Sequence, residues 1–268
     1  MPDVDAPQVT VRFWAGARRA AGCDSETLGA RTVGELRDLL AARAALAPVC
    51  AVASFLVDGR QASDTTALTA GAEVDVLPPF AGGSAPTIVG IGGSAREGSL
   101  TNLLLTRCLD KTAELGARTR ALLGPQLAGL PMYGEDNDPA GSAELVDAVR
   151  TADCVVIGTP GYHGGMSGLV KNAIDHLELL REDPRPYLSG KAVGVIVTAA
   201  GWQACGTTLT SVRSAVHALR GWPTPFGVIV NSVEQQADDV RIDGALAILA
   251  AQLVEFASWR TAASATVR

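Results

Sequence analysis

Apolar and polar positions alternate through the first part of the chain and stop alternating near residue 87. Residues 8–14, QVTVRFW, read as a strand, and ETLGA (26–30) as a second short extended piece. TVGELRDLLAAR (32–43) predicts a helix. Thr32 can cap it, Glu35 follows three residues later, and Leu36, Leu39 and Leu40 make an apolar stripe. SFLVDGR (54–60) is a strand ending in an Asp58-Gly59 turn, and AEVDVLPPF (72–80) is a last strand stopped by Pro78-Pro79. Strand, strand, helix, strand, strand predicts a small α+β domain with one helix packed on a mixed sheet.

Beyond residue 87 the apolar runs are continuous: TIVGIGG, CVVIGTP, KAVGVIVTAA and FGVIVN. That is the pattern of strands buried on both faces of a parallel sheet. ARTRALLG (117–124) supplies a less apolar second strand. Helix-length segments lie between them near 100–116, 141–151, 167–181 and 207–220, with a last one near 243–260. Strands alternating with helices predict a doubly wound α/β domain with a five-stranded parallel, flavodoxin-like sheet.

Composition narrows the classes. The 268 residues are 47% hydrophobic, enough for a packed core in one large or two modest domains. A net charge of −6 argues against a nucleic-acid surface. No apolar run approaches a membrane span, and MPDVDAPQV has neither the basic nor the apolar region of a secretion signal. Five scattered cysteines and three histidines match neither a disulfide framework nor a zinc site. The expectation is a cytoplasmic protein with reduced thiols and no metal.

Ligands of open α/β sheets bind beyond the carboxyl ends of the strands, so candidate chemistry is sought there. In GGSAREGSLTN (92–102), two glycines turn the chain off a strand. Ser94, Ser99 and Thr101 bring hydroxyls, Arg96 a planar cation, and the helix that follows a positive N-terminus. This fits a pocket for one phosphate group, and equally a Gly/Ser-rich turn capping a helix. It is not a dinucleotide or P-loop fingerprint. In TPGYHGGMSGLVKNAID (159–175), Pro160 fixes the exit from a strand. The glycines there, Gly164 among them, admit a flat ligand, and Tyr162 and His163 stand beside it. Lys171, Asn172 and Asp175 read as helix surface and capping, and His176 and His217 carry no assigned role. In TAAGWQACGTTLT (198–210), Gly201 and Gly206 bracket Trp202 and Cys205, the latter read as an inert thiol.

The spaced Ser94, Arg96 and Ser99, together with TPGYHGGMSGLVKNAID, resemble the NADPH-dependent FMN reductase family of flavodoxin-like proteins over about residues 87–235. The resemblance implies FMN with its phosphate at Ser94, Arg96, Ser99 and Thr101. It implies an isoalloxazine lined by Pro160, Tyr162, His163 and Gly164, with Gly201 at another flavin edge. NAD(P)H is the implied co-substrate, and a hydride moves to the flavin with no catalytic acid or base. The family also implies a homodimer or homotetramer. The acceptor stays open, between small molecules and a partner monooxygenase, and so does the choice of nicotinamide.

VRFWAGARRAAG, LVDGR and LPPFAGG resemble a second family, the small subunit of molybdopterin synthase, over about residues 8–83. That implies a ubiquitin-like β-grasp sulfur carrier whose last glycine is adenylated and converted to a thiocarboxylate. Gly82 and Gly83 would be that tail, slim and free in its backbone. Here Gly83 is joined to Ser84, so carrier chemistry requires a peptidase and then an activating enzyme. A docking module is the alternative use of this domain, and an electron carrier or scaffold the alternative for the second. The expected organisation is 1–83, a linker at 84–86, and 87–268.

Overall fold

The computed structural model describes residues 6–78, 85–134 and 139–266. Gly82, Gly83 and Ser84 lie outside the described residues. The chain forms two compact units, the first made of residues up to Ala85 with 114–116 and the residues from Thr261, the second of Pro86–Ala113 and Ala117–Arg260.

The first unit holds a sheet of five strands: β1 (Gln8–Phe13), β2 (Ser25–Gly29), β3 (Ser54–Val57), β4 (Arg60–Ala62) and β5 (Glu73–Leu77), in the order β2-β1-β5-β3-β4. β1 and β5 are parallel and the other pairs antiparallel. Alternation sends Val9, Val11 and Phe13 of β1, with Val74 and Val76 of β5, into one core. Leu36 and Leu40 of helix α2 (Val33–Ala41) close over it. Thr32 caps that helix by accepting from the Glu35 N–H at 3.2 Å, and Glu35 accepts in turn from the Arg31 N–H at 2.8 Å. The β3–β4 turn is Asp58-Gly59, with φ of 49° and 76°. Two short helices join the expected one: α1 (Ala15–Ala21) and α3 (Ala47–Val52).

On the other face of this sheet, Asp75 is nearly buried among donors. Arg12 reaches it through Nε at 2.8 Å and a second guanidinium nitrogen at 3.1 Å, and Trp14 Nε1 donates at 2.8 Å. The Arg12 fork, helped by the Trp14 indole, holds the Asp75 carboxyl below the usual carboxylate range.

The second unit is a three-layer sandwich. Its sheet contains β6 (Thr87–Gly92), β7 (Arg118–Leu122), β8 (Cys154–Tyr162), β9 (Gly165–Met166), β10 (Ala192–Ala199), β11 (Trp222–Pro223) and β12 (Val228–Asn231). The expected five strands are thus seven. β9 is an antiparallel return of β8. The fifth position is split, because β11 pairs the start of β10 and β12 its end. Main-chain pairing is parallel elsewhere, in the order β7-β6-β8-β10-β12.

Helices α4 (Leu100–Glu114) and α9 (Val240–Thr266) cover one face. They come close where the sheet has no side chain: a Cβ on Gly90 would lie 2.8 Å from a Leu109 methyl, and one on Gly194 3.0 Å from Leu249. The other face is covered by α6 (Ala143–Thr151), α7 (Gly168–Asp175) and α8 (Trp202–Ala218), after a short α5 (Gly124–Ala128). Leu145, Val170 and Val212 from those helices pack on Val89, Val155 and Val195 of the strands. Leucine or valine side chains buried this fully contribute about 1.5–3 kcal/mol each.

Candidate active site

The chain winds outward in both directions from β6 and β8, so a crevice opens at their carboxyl ends. The loop after β6 is held from three sides. The Gly93 N–H donates to the Gly158 carbonyl at 2.8 Å, and Ser167 Oγ donates to the Gly93 carbonyl at 2.7 Å. Asn102 Nδ2 donates to the Ser94 carbonyl at 2.8 Å. Side chains are excluded here. A Cβ on Gly93 would sit 2.2 Å from a Val170 methyl, and one on Gly124, at the start of α5, 1.7 Å from the Ser94 carbonyl oxygen.

Ser94 and Ser99 are buried at the base of this loop and Arg96 is exposed at its tip. Ser99 caps α4: its Oγ accepts from the Asn102 N–H at 3.2 Å, which leaves its own proton to donate. The first bond within α4 runs from the Leu103 N–H to the Ser99 carbonyl, so the N–H groups of Leu100 and Thr101 precede the helical ladder. The Thr101 hydroxyl is buried and pairs with Thr198 Oγ1 at 2.5 Å, and either of the two can be the donor. Beside the loop, Arg96, Ser99, Asn102, Leu123 and Pro125 line a recess of about 330 Å³.

The second segment is a hairpin and not a loop leaving the strand at Pro160. Pro160 lies inside β8, in register with Thr198 of β10, and the strand continues to Tyr162. His163 and Gly164, at φ of 51° and 83°, turn it back into β9. Tyr162 is 58% exposed at this tip, with His163 beside it. Ser167 then caps α7 by accepting from the Val170 N–H at 3.3 Å, while its own N–H donates to Thr159 Oγ1 at 3.0 Å.

On α7, Lys171 and Asp175, read as helix surface and capping, form an ion pair at 2.7 Å. Asn172 and His176 do more than their sequence positions implied. Asn172 Oδ1 accepts from the Tyr133 N–H at 2.8 Å and its Nδ2 donates to the Pro131 carbonyl at 2.9 Å. His176 Nε2 meets the same carbonyl at 2.9 Å, and its ring stands edge-on to Tyr133. Both side chains are buried, strapping residues 131–133 to the helix. A polar residue on the apolar side of the α7 stripe was the available signal.

The third segment is the start of a helix. α8 begins at Trp202, about a turn earlier than the periodicity indicated, immediately after Gly201 at φ 126°. The Gly201 N–H donates to Asn231 Oδ1 at 3.1 Å. Cys205 is fully buried, its Sγ 3.4 Å from the Val230 carbonyl oxygen, and burial pushes its thiol pKa up. Its burial and contacts fit a packed structural thiol.

A cradle sealed against side chains, rimmed by one arginine and an open helix start, suits a phosphate. The neighbouring glycine hairpin with an exposed aromatic tip suits a flat ring. Residues 86–235 match the NADPH-dependent FMN reductase family, and residues 11–83 match the ThiS family. The chain is 34% identical over 179 residues to a quinone reductase of Escherichia coli, covering 63% of this chain and 92% of that protein. It is 30% identical over 162 residues to an FMN-dependent NADPH-azoreductase of Staphylococcus haemolyticus, covering 58% and 81%. The solved structure of RosB with a bound flavin intermediate shares the fold, with a TM-score of 0.52 at 14% identity over 68% of this chain and 86% of that one.

Proposed function

The chain belongs to the NADPH-dependent FMN reductase family and is an FMN-dependent NAD(P)H oxidoreductase carrying a ThiS-type front segment; we propose that its cofactor is held by the loops after β6, β8 and β10. Arg96, the hydroxyls of Ser94 and Ser99, and the N–H groups of Leu100 and Thr101 take the phosphate. Pro160, Tyr162, His163 and Gly164 line the ring, with Gly201 at its far edge. When bound, FMN supplies the hydride-accepting centre between NAD(P)H and the acceptor. The chain's own residues fix position and charge. The helix start and Arg96 balance the phosphate. Glycine backbone N–H groups at the hairpin favour negative charge on the ring. No side chain is required to move a proton.

The observation that carries this reading is the Ser167–Gly93 bond, which locks the phosphate loop to the base of the hairpin as one frame. Titration of the purified chain with FMN tests it. Tight one-to-one uptake, lost when Arg96 is replaced, supports the assignment, and no uptake overturns it. We read the whole as a cytoplasmic homodimer or homotetramer, organised as 1–83, a linker at 84–86 and 87–268.

The front unit supports a second role, because the ThiS match ends at residue 83, on the Gly82-Gly83 pair. Hydrolysis of the Gly83–Ser84 amide would free the glycine carboxyl for an activating enzyme. Intact-mass measurement of the chain from its native host tests this: fragments ending at Gly83 support a carrier. Full-length chains alone leave the front unit as a docking module.

A further inference from the structure

We infer that Trp202 is the platform on which the electron acceptor lies, and that it selects flat, electron-poor ring systems. The inference rests on the cofactor placement proposed above. Trp202 is 46% exposed at the first position of α8, on the carboxyl edge of the sheet. A large ring left in solvent is held here with some care. Its Nε1 donates to Glu234 Oε2 at 2.9 Å. The other carboxylate oxygen of Glu234 accepts from Asn231 Nδ2 at 2.8 Å. Asn231, itself buried at the end of β12, accepts through Oδ1 from the N–H groups of Gly201 at 3.1 Å and Val233 at 3.2 Å. Three residues thus tie the loop after β10 to the loop after β12 and fix the indole from behind.

The same helix is tied to the hairpin on its other side. Thr208 Oγ1 donates to the Gly165 carbonyl at 3.4 Å, and a Cβ on Gly161 would lie 2.7 Å from that hydroxyl. The first turns of α8 therefore run between the segment bearing Tyr162 and the one bearing Glu234. A ring immobilised in advance loses little freedom when a ligand stacks on it. A carboxylate accepting from the indole N–H enriches the ring in electrons. An electron-rich face attracts an electron-poor one in offset stacking. Quinone-like rings gain from this surface. A compact inorganic anion gains nothing from it, and the Glu234 charge disfavours its approach.

Two readouts test the assignment on FMN-loaded protein. The first is calorimetric titration of 2-methyl-1,4-naphthoquinone into the oxidised form without nicotinamide. Trp202→Ala should weaken binding about tenfold, the magnitude of one lost stacking contact. Trp202→Phe should fall between the two. Glu234→Ala should approach the Trp202→Ala value, and Glu234→Gln, which keeps an acceptor for the indole, should recover most of the affinity. The second is the ratio of kcat/KM for that quinone to kcat/KM for ferricyanide, which should fall about tenfold in Trp202→Ala, through KM. Quinone binding unchanged in both Trp202 variants, or an unchanged ratio, overturns the inference while leaving the cofactor placement standing. Wild-type protein that takes up no FMN overturns both.

Discussion

Ser167 Oγ donates to the carbonyl of Gly93 at 2.7 Å, across 74 positions of sequence, while accepting from the Val170 N–H at the start of its own helix. One hydroxyl thus serves as helix cap and as tether of the phosphate loop. Ser167→Ala should cost about 1–2 kcal/mol of stability. It should also weaken FMN binding, since the loop loses an anchor. Urea unfolding and FMN fluorescence quenching measure the two effects. Lost stability with intact FMN affinity would show that the tether does not shape the loop.

Gly93 makes a sharper test of the same frame. Its missing side chain leaves room for the Val170 methyl, 2.2 Å from where a Cβ would stand. Gly93→Ala should cost about 1–3 kcal/mol, as overpacked sites do, and abolish FMN uptake at micromolar concentrations. Gly168→Ala is the control, because nothing lies within 4 Å of a Cβ there.

Much of this frame was legible in the sequence. Continuous apolar runs marked β6, β8 and β10; Ser94, Arg96 and Ser99 follow β6, and Tyr162 and His163 stand where β8 ends and turns back. What escaped depends on tertiary contacts. α8 starts early because Gly201 turns the chain at φ 126° and Asn231 fixes its N–H, and residues 30 positions apart leave no local signal. Asn172 reads as helix surface and His176 carries no role in the sequence, and in the fold both hold the 131–133 segment. The Thr101 hydroxyl pairs with Thr198, a contact across 97 positions that leaves no local signal. The fifth strand is divided because residues 224–227 stand opposite only 194 and 195 of β10, so pairing stops after Pro223 and resumes at Val228.

In the first unit, Asp75 accepts from Arg12 and Trp14 with its carboxylate almost out of solvent. Its pKa is lowered when folded, so its contribution is present above the unfolded value of about 3.9 and is lost as pH falls through the lower folded value. Asp75→Ala should destabilise the first unit by about 2 kcal/mol at pH 7. The gap between variant and wild type should narrow as pH drops below about 4. Denaturant unfolding at both pH values measures it, and a gap independent of pH would contradict the role of the charge.

The cysteines give a prediction about reactivity. Cys50, Cys108, Cys154 and Cys205 are buried, and Cys23 is half-buried. Burial pushes the Cys108 thiol up to about 12, and the Cys50 and Cys205 thiols upward as well. Native protein treated with iodoacetamide at neutral pH should be modified at Cys23 first, with Cys205 labelled only after unfolding. Peptide mass spectrometry locates the label. Rapid native labelling at Cys205 would reopen a redox role for it.

The central claim is that the loop bearing Ser94, Arg96 and Ser99 holds FMN by its phosphate beside the Tyr162 hairpin. The most direct measurement compares FMN with riboflavin, which lacks the phosphate, in binding to wild type and Arg96→Ala, followed by anaerobic addition of NADPH. The account predicts that FMN binds wild type far more tightly than riboflavin and that its yellow colour bleaches with NADPH. Arg96→Ala should lose about tenfold to a hundredfold in FMN affinity, the range of a charge-assisted hydrogen bond, with riboflavin binding unchanged. Equal binding of FMN and riboflavin by wild type, or FMN affinity indifferent to Arg96, would contradict it.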